Sequence, residues 1–133
     1  MLTRPAQHRL VVVALCGLTA GTLVAQPSPT VDALLDESRR AHRAMDFASA
    51  IEALDRASEL ATDSPETSGR VLIERSIVLR TSGALGRALA AIEQAVEQLE
   101  PTRTDRRGLA HAYRQLAEVR GRLGDDAGAD LAL

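Results

Sequence analysis

The sequence predicts an all-α chain of antiparallel helical hairpins stacked side by side. Three observations predict it. Apolar residues recur at intervals of three and four, the helical period, and no segment reads as a strand. Phe47 and Tyr113 are the only aromatic residues, so a core must be built from Leu, Ile, Val and Ala, which suits close-packed helices and not a β-sandwich. Finally, a short pattern occurs three times: Met45-Asp46-Phe47-Ala48-Ser49-Ala50-Ile51, Gly83-Ala84-Leu85-Gly86-Arg87-Ala88-Leu89 and Gly124-Asp125-Asp126-Ala127-Gly128-Ala129-Asp130. Each copy follows one amphipathic stretch and opens another. A tight turn and then a small residue at a fixed offset is what a repeated helical hairpin needs.

The elements follow in order. Val31, Leu34, Leu35, Ser38, Ala41 and Met45 line one helical face, and Ala50, Ile51, Leu54, Ala57, Ser58 and Ala61 line the next. Ser64-Pro65-Glu66 starts a third helix with a serine cap, a proline in the first turn and an acid beside it. Val71, Leu72, Ser76, Val78 and Leu79 are its apolar face, and Thr81-Ser82-Gly83 ends it. Leu85, Ala88, Leu89, Ile92, Ala95, Val96 and Leu99 make the fourth, stopped at Glu100-Pro101 because the residue before proline avoids helical geometry. A fifth segment runs from Thr104 to Leu123. Gly124-Asp125 is expected to turn again, leaving Asp126 to Leu133 as a sixth helix of about two turns. The expected hairpins are 30–61, 65–99 and 103–133.

The first 25 residues stand apart. Arg4, His8 and Arg9 precede an apolar run from Leu10 to Leu18, and small residues follow up to Ala25. This is the anatomy of a secretory signal with cleavage after Ala25. The apolar stretch is shorter than the roughly 20 residues of a spanning helix, but an uncleaved N-terminal membrane anchor is the alternative. Val13-Ala14-Leu15-Cys16 resembles a lipid-modification motif, yet Leu15 stands where that motif has a small residue. Cys16 is the only cysteine, so residues 26–133 hold no disulfide framework, thiol nucleophile or Cys-based metal site. Export without disulfides suits a bacterial envelope, with the chain in the periplasm, secreted, or held at the inner membrane by an uncleaved segment.

Residues 26–133 form one domain in size. They keep 14 Arg against 18 acidic residues, a net charge near −4, which argues against a nucleic-acid partner.

The repeated pattern resembles the tetratricopeptide repeat, a unit of two antiparallel helices with small and large residues at set places. Asp46-Phe47, Ala50-Ile51, Leu54, Ala57 and Leu60 carry the resemblance in the first unit. Leu72, Ser76, Gly83, Ala88-Leu89, Ile92, Ala95, Leu99 and Pro101 carry it in the second. Tyr113, Leu116, Ala117, Gly124-Asp125 and Ala129 carry it in the third. The marker alanines lie about 38 and 41 residues apart where the family has 34. Glu37 and Arg75 stand where the family has an apolar residue. The resemblance implies a short right-handed solenoid whose first helices line a concave, partner-binding groove. It places Asp32, Leu35, Arg39, His42 and Arg43 there from the first hairpin. Arg70, Ile73, Ile77, Arg80 and Thr81 come from the second, and His111, Arg114, Glu118 and Arg122 from the third.

That groove is Arg-rich although the domain is acidic, because Glu52, Asp55, Glu59, Glu93, Glu97 and Glu100 lie on the second helices. Arg forks bind carboxylates in two-pronged fashion, so the expected partner is an acidic or carboxylate-bearing protein or peptide. A non-catalytic scaffold is the expectation, with no cofactor and no metal. His42 and Asp46 share a helix face but lack a third ligand, and no triad, dyad or glycine-rich phosphate loop occurs. The alternative expectation is self-association through an apolar edge of a clipped last hairpin, formed by Leu109, Leu116, Leu123 and Leu131.

Overall fold

The computed structural model describes residues 28–131, with side-chain surroundings through Gly124. The expected signal segment lies outside the described residues. Five helices occur among them, and no strand: α1 Val31–Arg43, α2 Phe47–Leu60, α3 Pro65–Thr81, α4 Leu85–Leu99 and α5 Arg106–Leu131.

Local chemistry sets most of the boundaries. The Thr30 side chain accepts the Ala33 N–H and starts α1. The Asp46 carboxylate accepts the Ser49 N–H at 3.1 Å and starts α2. Ser64 accepts the Thr67 N–H at 3.2 Å, and Pro65 supplies a preset first turn for α3. Asp105 accepts the Gly108 N–H at 2.8 Å at the head of α5. Only α4 opens without a side-chain cap, on Ala84.

Helices consecutive in the chain pack as neighbours, α1 on α2, α2 on α3, α3 on α4 and α4 on α5, and α5 also runs alongside α3, parallel to it, since Glu66 meets Thr104 near their starts and Arg80 meets Glu118 further along. Small residues allow the close approach. Ala50, Ala53 and Ala57 on α2 and Ala88, Ala91 and Ala95 on α4 are all buried. A Cβ on Gly69 of α3 would come within 2.7 Å of the Leu99 side chain, so only glycine lets α3 and α4 meet there. Leu34, Leu35, Leu54, Val71 and Val78 form a core under the first hairpin. Ile73, Ile92, Leu99, Ala112 and Leu116 form its continuation under α5. Each fully buried Leu or Ile contributes about 1.5–3 kcal/mol.

The third turn is corrected. The backbone stays helical through Gly124 and Asp125, so Arg106–Leu131 is one long helix and not a hairpin. The first two turns each hold a residue in the left-handed region, Met45 at φ 60° and Gly83 at φ 85°; Gly124 is not in that region. A helical glycine costs only about 1 kcal/mol relative to alanine. The third copy also offers little to drive a turn: Ile51 and Leu89 pack on the core, whereas the matching position is Asp130.

Glu37 and Arg75, the charged residues at apolar places of the pattern, bind across helices. Arg56 of α2 reaches Glu37 at 3.4 Å, and Arg75 reaches Asp55 of α2 at 2.5 Å.

Candidate partner-binding face

Helix α3 touches both α1 and α5 along one side of the stack, while α2 and α4 make no contact with each other. An array whose odd helices abut and whose even helices stand apart curves around the odd ones. The inner side is therefore formed by α1, α3 and α5, and that is where the first helices of the hairpins were expected to meet.

A depression of about 160 Å³ lies on this side, lined by Arg39, Arg70, Ile73, Glu74, Gly108 and His111. Three helices supply it. Four of its residues, Arg39, Arg70, Ile73 and His111, were expected in the groove. Gly108 leaves room for the Asp105 carboxylate that caps α5, with which a Cβ there would collide.

The arginines are already partnered. Arg39 donates through Nε and Nη2 to one oxygen of Glu74, at 3.0 and 2.5 Å, and through Nη1 to Asp36 at 3.2 Å. The Glu74 hydrogen bond, opposed by partial burial, raises the Arg39 pKa above its ordinary value. Arg70 of α3 reaches Asp32 of α1 at 2.8 Å. Arg80 of α3 reaches Glu118 of α5 at 3.2 Å and Gln115 at 3.4 Å, while its Nε is buried without a partner. Three ion pairs thus stitch α1 to α3 and α3 to α5 on the inner side.

The remaining expected residues are more scattered. His42 is half-buried against the Phe47 ring, centroids 6.0 Å apart. Arg43, Thr81, Arg114 and Arg122 are exposed, and Ile77 is half-buried. Arg122 stands one turn beyond Glu118 on α5. One expectation is corrected by burial, and a second is narrowed. Leu35 is fully buried in the core under the first hairpin and does not reach the groove, while Ile73, 3 % exposed, packs into the core and still lines the depression. Ile73 meets the depression only as its floor.

The apolar edge is corrected as well. Leu116 is buried, and Leu109 and Leu123 pack against the core clusters. Without a sixth helix returning over α5, these leucines face α3 and α4. The Leu131 side chain lies outside the described residues.

Glu74 and Gly108 were missed. Glu74 lies one turn after Arg70 on the same helix, the one signal that could have marked it as a partner for a groove arginine.

Larger depressions lie elsewhere. One of about 490 Å³ opens where α2 and α4 stand apart over α3, lined by Ser58, Leu72, Arg75, Leu79 and Arg87 among others. Another, of about 440 Å³, is formed by Glu100, Arg103, Arg106, Leu109 and Tyr113 at the α4–α5 junction. Asp46, the carboxylate paired with His42 in the metal reading, is engaged in capping α2. Among the described residues no group of three His, Cys, Asp or Glu is arranged to hold a metal ion. No helix among them is long and apolar enough to cross a membrane.

No family model, curated protein or solved structure matches the chain.

Proposed function

We propose that the protein is a non-catalytic interaction module whose α1/α3/α5 side binds an acidic segment of another protein. The observation that carries this reading is the convergence of Arg39, Arg70 and His111 from three helices on one inner depression. The resemblance to tetratricopeptide repeats points the same way, as does the secretory anatomy of the first residues, which sets the interaction in a bacterial cell envelope.

The ion pairs give the mechanism. Arg70 and Asp32 are both well exposed, and such a pair is worth about 0–1 kcal/mol. Arg70 can therefore exchange Asp32 for an incoming carboxylate at little cost. Glu74 is mostly buried and holds Arg39 in place as a fixed rim. Binding then orders the partner and leaves the helices where they are.

The test is amide chemical-shift mapping with a glutamate-rich helical peptide. Perturbation should centre on Arg70, Glu74 and His111 and vanish in Arg70→Glu at unchanged helicity. Undiminished binding by Arg70→Glu would overturn the reading.

A further inference from the structure

The cavity of about 440 Å³ at the α4–α5 junction is lined by Glu100, Arg103, Arg106, Leu109 and Tyr113, none of which lines the inner depression. Its size is that of a small-molecule site, about 300–1,000 Å³. From α5 the inner depression takes Gly108 and His111, whereas this cavity takes Arg106, Leu109 and Tyr113. The two therefore open on different sides of the helix.

Its charges are arranged differently from those of the inner side. There Arg39, Arg70 and Arg80 each hold a carboxylate. Arg103 and Arg106 are both exposed, and neither forms an ion pair among the described residues. Tyr113 donates its hydroxyl to Glu100 Oε1. That bond fixes the ring at the cavity wall, 44 % exposed, and engages the one carboxylate in the lining. Leu109, half-buried against the core, gives the wall a second apolar surface.

The backbone holds Arg103 at this cavity under strain. Its φ is 48°, in the left-handed region that glycine adopts freely. Neighbouring bonds impose it. The Thr104 hydroxyl donates to Glu66 at 2.5 Å, and the Leu99 carbonyl accepts the Thr102 hydroxyl at 3.1 Å and the Arg103 N–H at 3.4 Å. A glycine would relax the loop, but it would bring no guanidinium to the cavity.

Two guanidinium groups less one carboxylate leave a single positive charge, which matches a monoanion. Arginine forks bind carboxylates, and the Tyr113 ring and Leu109 offer apolar surface beside them. We propose that this cavity binds a small organic monocarboxylate. Arg103 and Arg106 hold its carboxylate, and its aromatic or aliphatic body lies on Tyr113 and Leu109. The inference does not depend on the peptide-binding reading of the inner side.

The experiment titrates the full chain with phenylacetate and follows amide shifts together with the ring signals of Tyr113, the only tyrosine. Saturable shifts are expected at Arg103, Arg106 and Tyr113, with none at Arg70 or His111. Acetate lacks the body and 2-phenylethanol lacks the charge, so each should bind at least about tenfold more weakly. Arg103→Gln and Arg106→Gln should each weaken phenylacetate binding roughly tenfold. Arg103→Gly separates the site from the fold: it should raise the melting temperature while lowering the affinity. No saturable shift at millimolar phenylacetate overturns the proposal. So does binding that both glutamine variants leave unchanged. Tighter binding of phenyl phosphate than of phenylacetate overturns the carboxylate assignment.

Discussion

Between α1 and α2 the backbone closes on Met45; between α3 and α4 it closes on Gly83. The bonds around the two turns are the same, shifted by 38 residues. The Asp46 N–H donates to the Ala41 carbonyl at 2.9 Å and the Ala84 N–H to the Leu79 carbonyl at 2.9 Å. The Met45 N–H reaches His42 and the Gly83 N–H reaches Arg80. The supports differ. In the first hairpin a non-glycine residue sits at φ 60°, and the following Asp46 caps the next helix. In the second the turn residue is glycine at φ 85°, and the following Ala84 provides no cap. Each hairpin lacks what the other has. One turn geometry can thus be held by a relaxed backbone or by a capped helix, and its fold does not depend on either alone.

The strongest way to break the comparison is through the cores. Leu54 and Ile92 occupy matching places and are both fully buried. Truncating either to alanine should cost about 2–5 kcal/mol. Val71 and Val78 of α3 pack into the first hairpin's core, so the hairpins should unfold together. Urea denaturation of Leu54→Ala and Ile92→Ala should each show one transition, displaced by similar amounts. Two transitions, with only one displaced in each variant, would mean that the hairpins fold independently.

Next come the turn residues themselves, where the expected signs are opposite. Gly83→Ala places a Cβ where nothing lies within 4 Å, so its cost is purely conformational, about 1–2 kcal/mol. Met45→Gly should relieve the same strain in the first hairpin. Met45 is 63 % exposed, so little packing is lost with its side chain. Thermal melts of the two variants should move in opposite directions.

These pairs also show what the sequence made legible. The turn at Met45 could be read although methionine is a poor turn residue, because the pattern around it matched the one around Gly83. Ser64-Pro65-Glu66 announced α3, and the serine does cap it. Gly124-Asp125 imitated the pattern without the force behind it: with Asp130 in the place of Ile51 and Leu89, a returning helix has less apolar surface to bury. The inner side was legible as a set of helices, since hairpin order alone fixes which helices share it. Its pairing was not. Arg39 meets Glu74 and Arg80 meets Glu118 through the relative shift of neighbouring helices, which is set by the lengths and geometry of the loops. Residue spacing within a helix does not reveal it.

A smaller effect sharpens the comparison by transplanting a cap. Ala84→Asp gives the second hairpin what Asp46 gives the first, an oxygen for the orphan N–H groups of the next helix. It should stabilise the protein by about 1 kcal/mol, readable as a higher urea midpoint at unchanged slope. No gain would mean that the N-terminus of α4 is already satisfied by water.

The smallest effect is the acid sensitivity that each hairpin draws from its own carboxylate. The Asp46 carboxyl is held below its usual range, first by the Ser49 hydroxyl and then by the Ser49 N–H. A carboxylate whose folded pKa is depressed contributes stability that is present above its unfolded value of about 3.9. That contribution is lost as pH falls through the folded value. Glu66 behaves likewise, chiefly through the Thr104 hydroxyl, which donates to it at 2.5 Å. Asp46→Ala therefore isolates the first hairpin's share. Its melting point should lie below that of the unmodified protein at neutral pH, and the gap should close as the pH drops below the carboxylate range. Ala84→Asp should add a capping carboxylate's acid sensitivity to the second hairpin, beside that of Glu66. A gap for Asp46→Ala that persists undiminished in acid would show that the side chain supports the turn by packing and not by its charge.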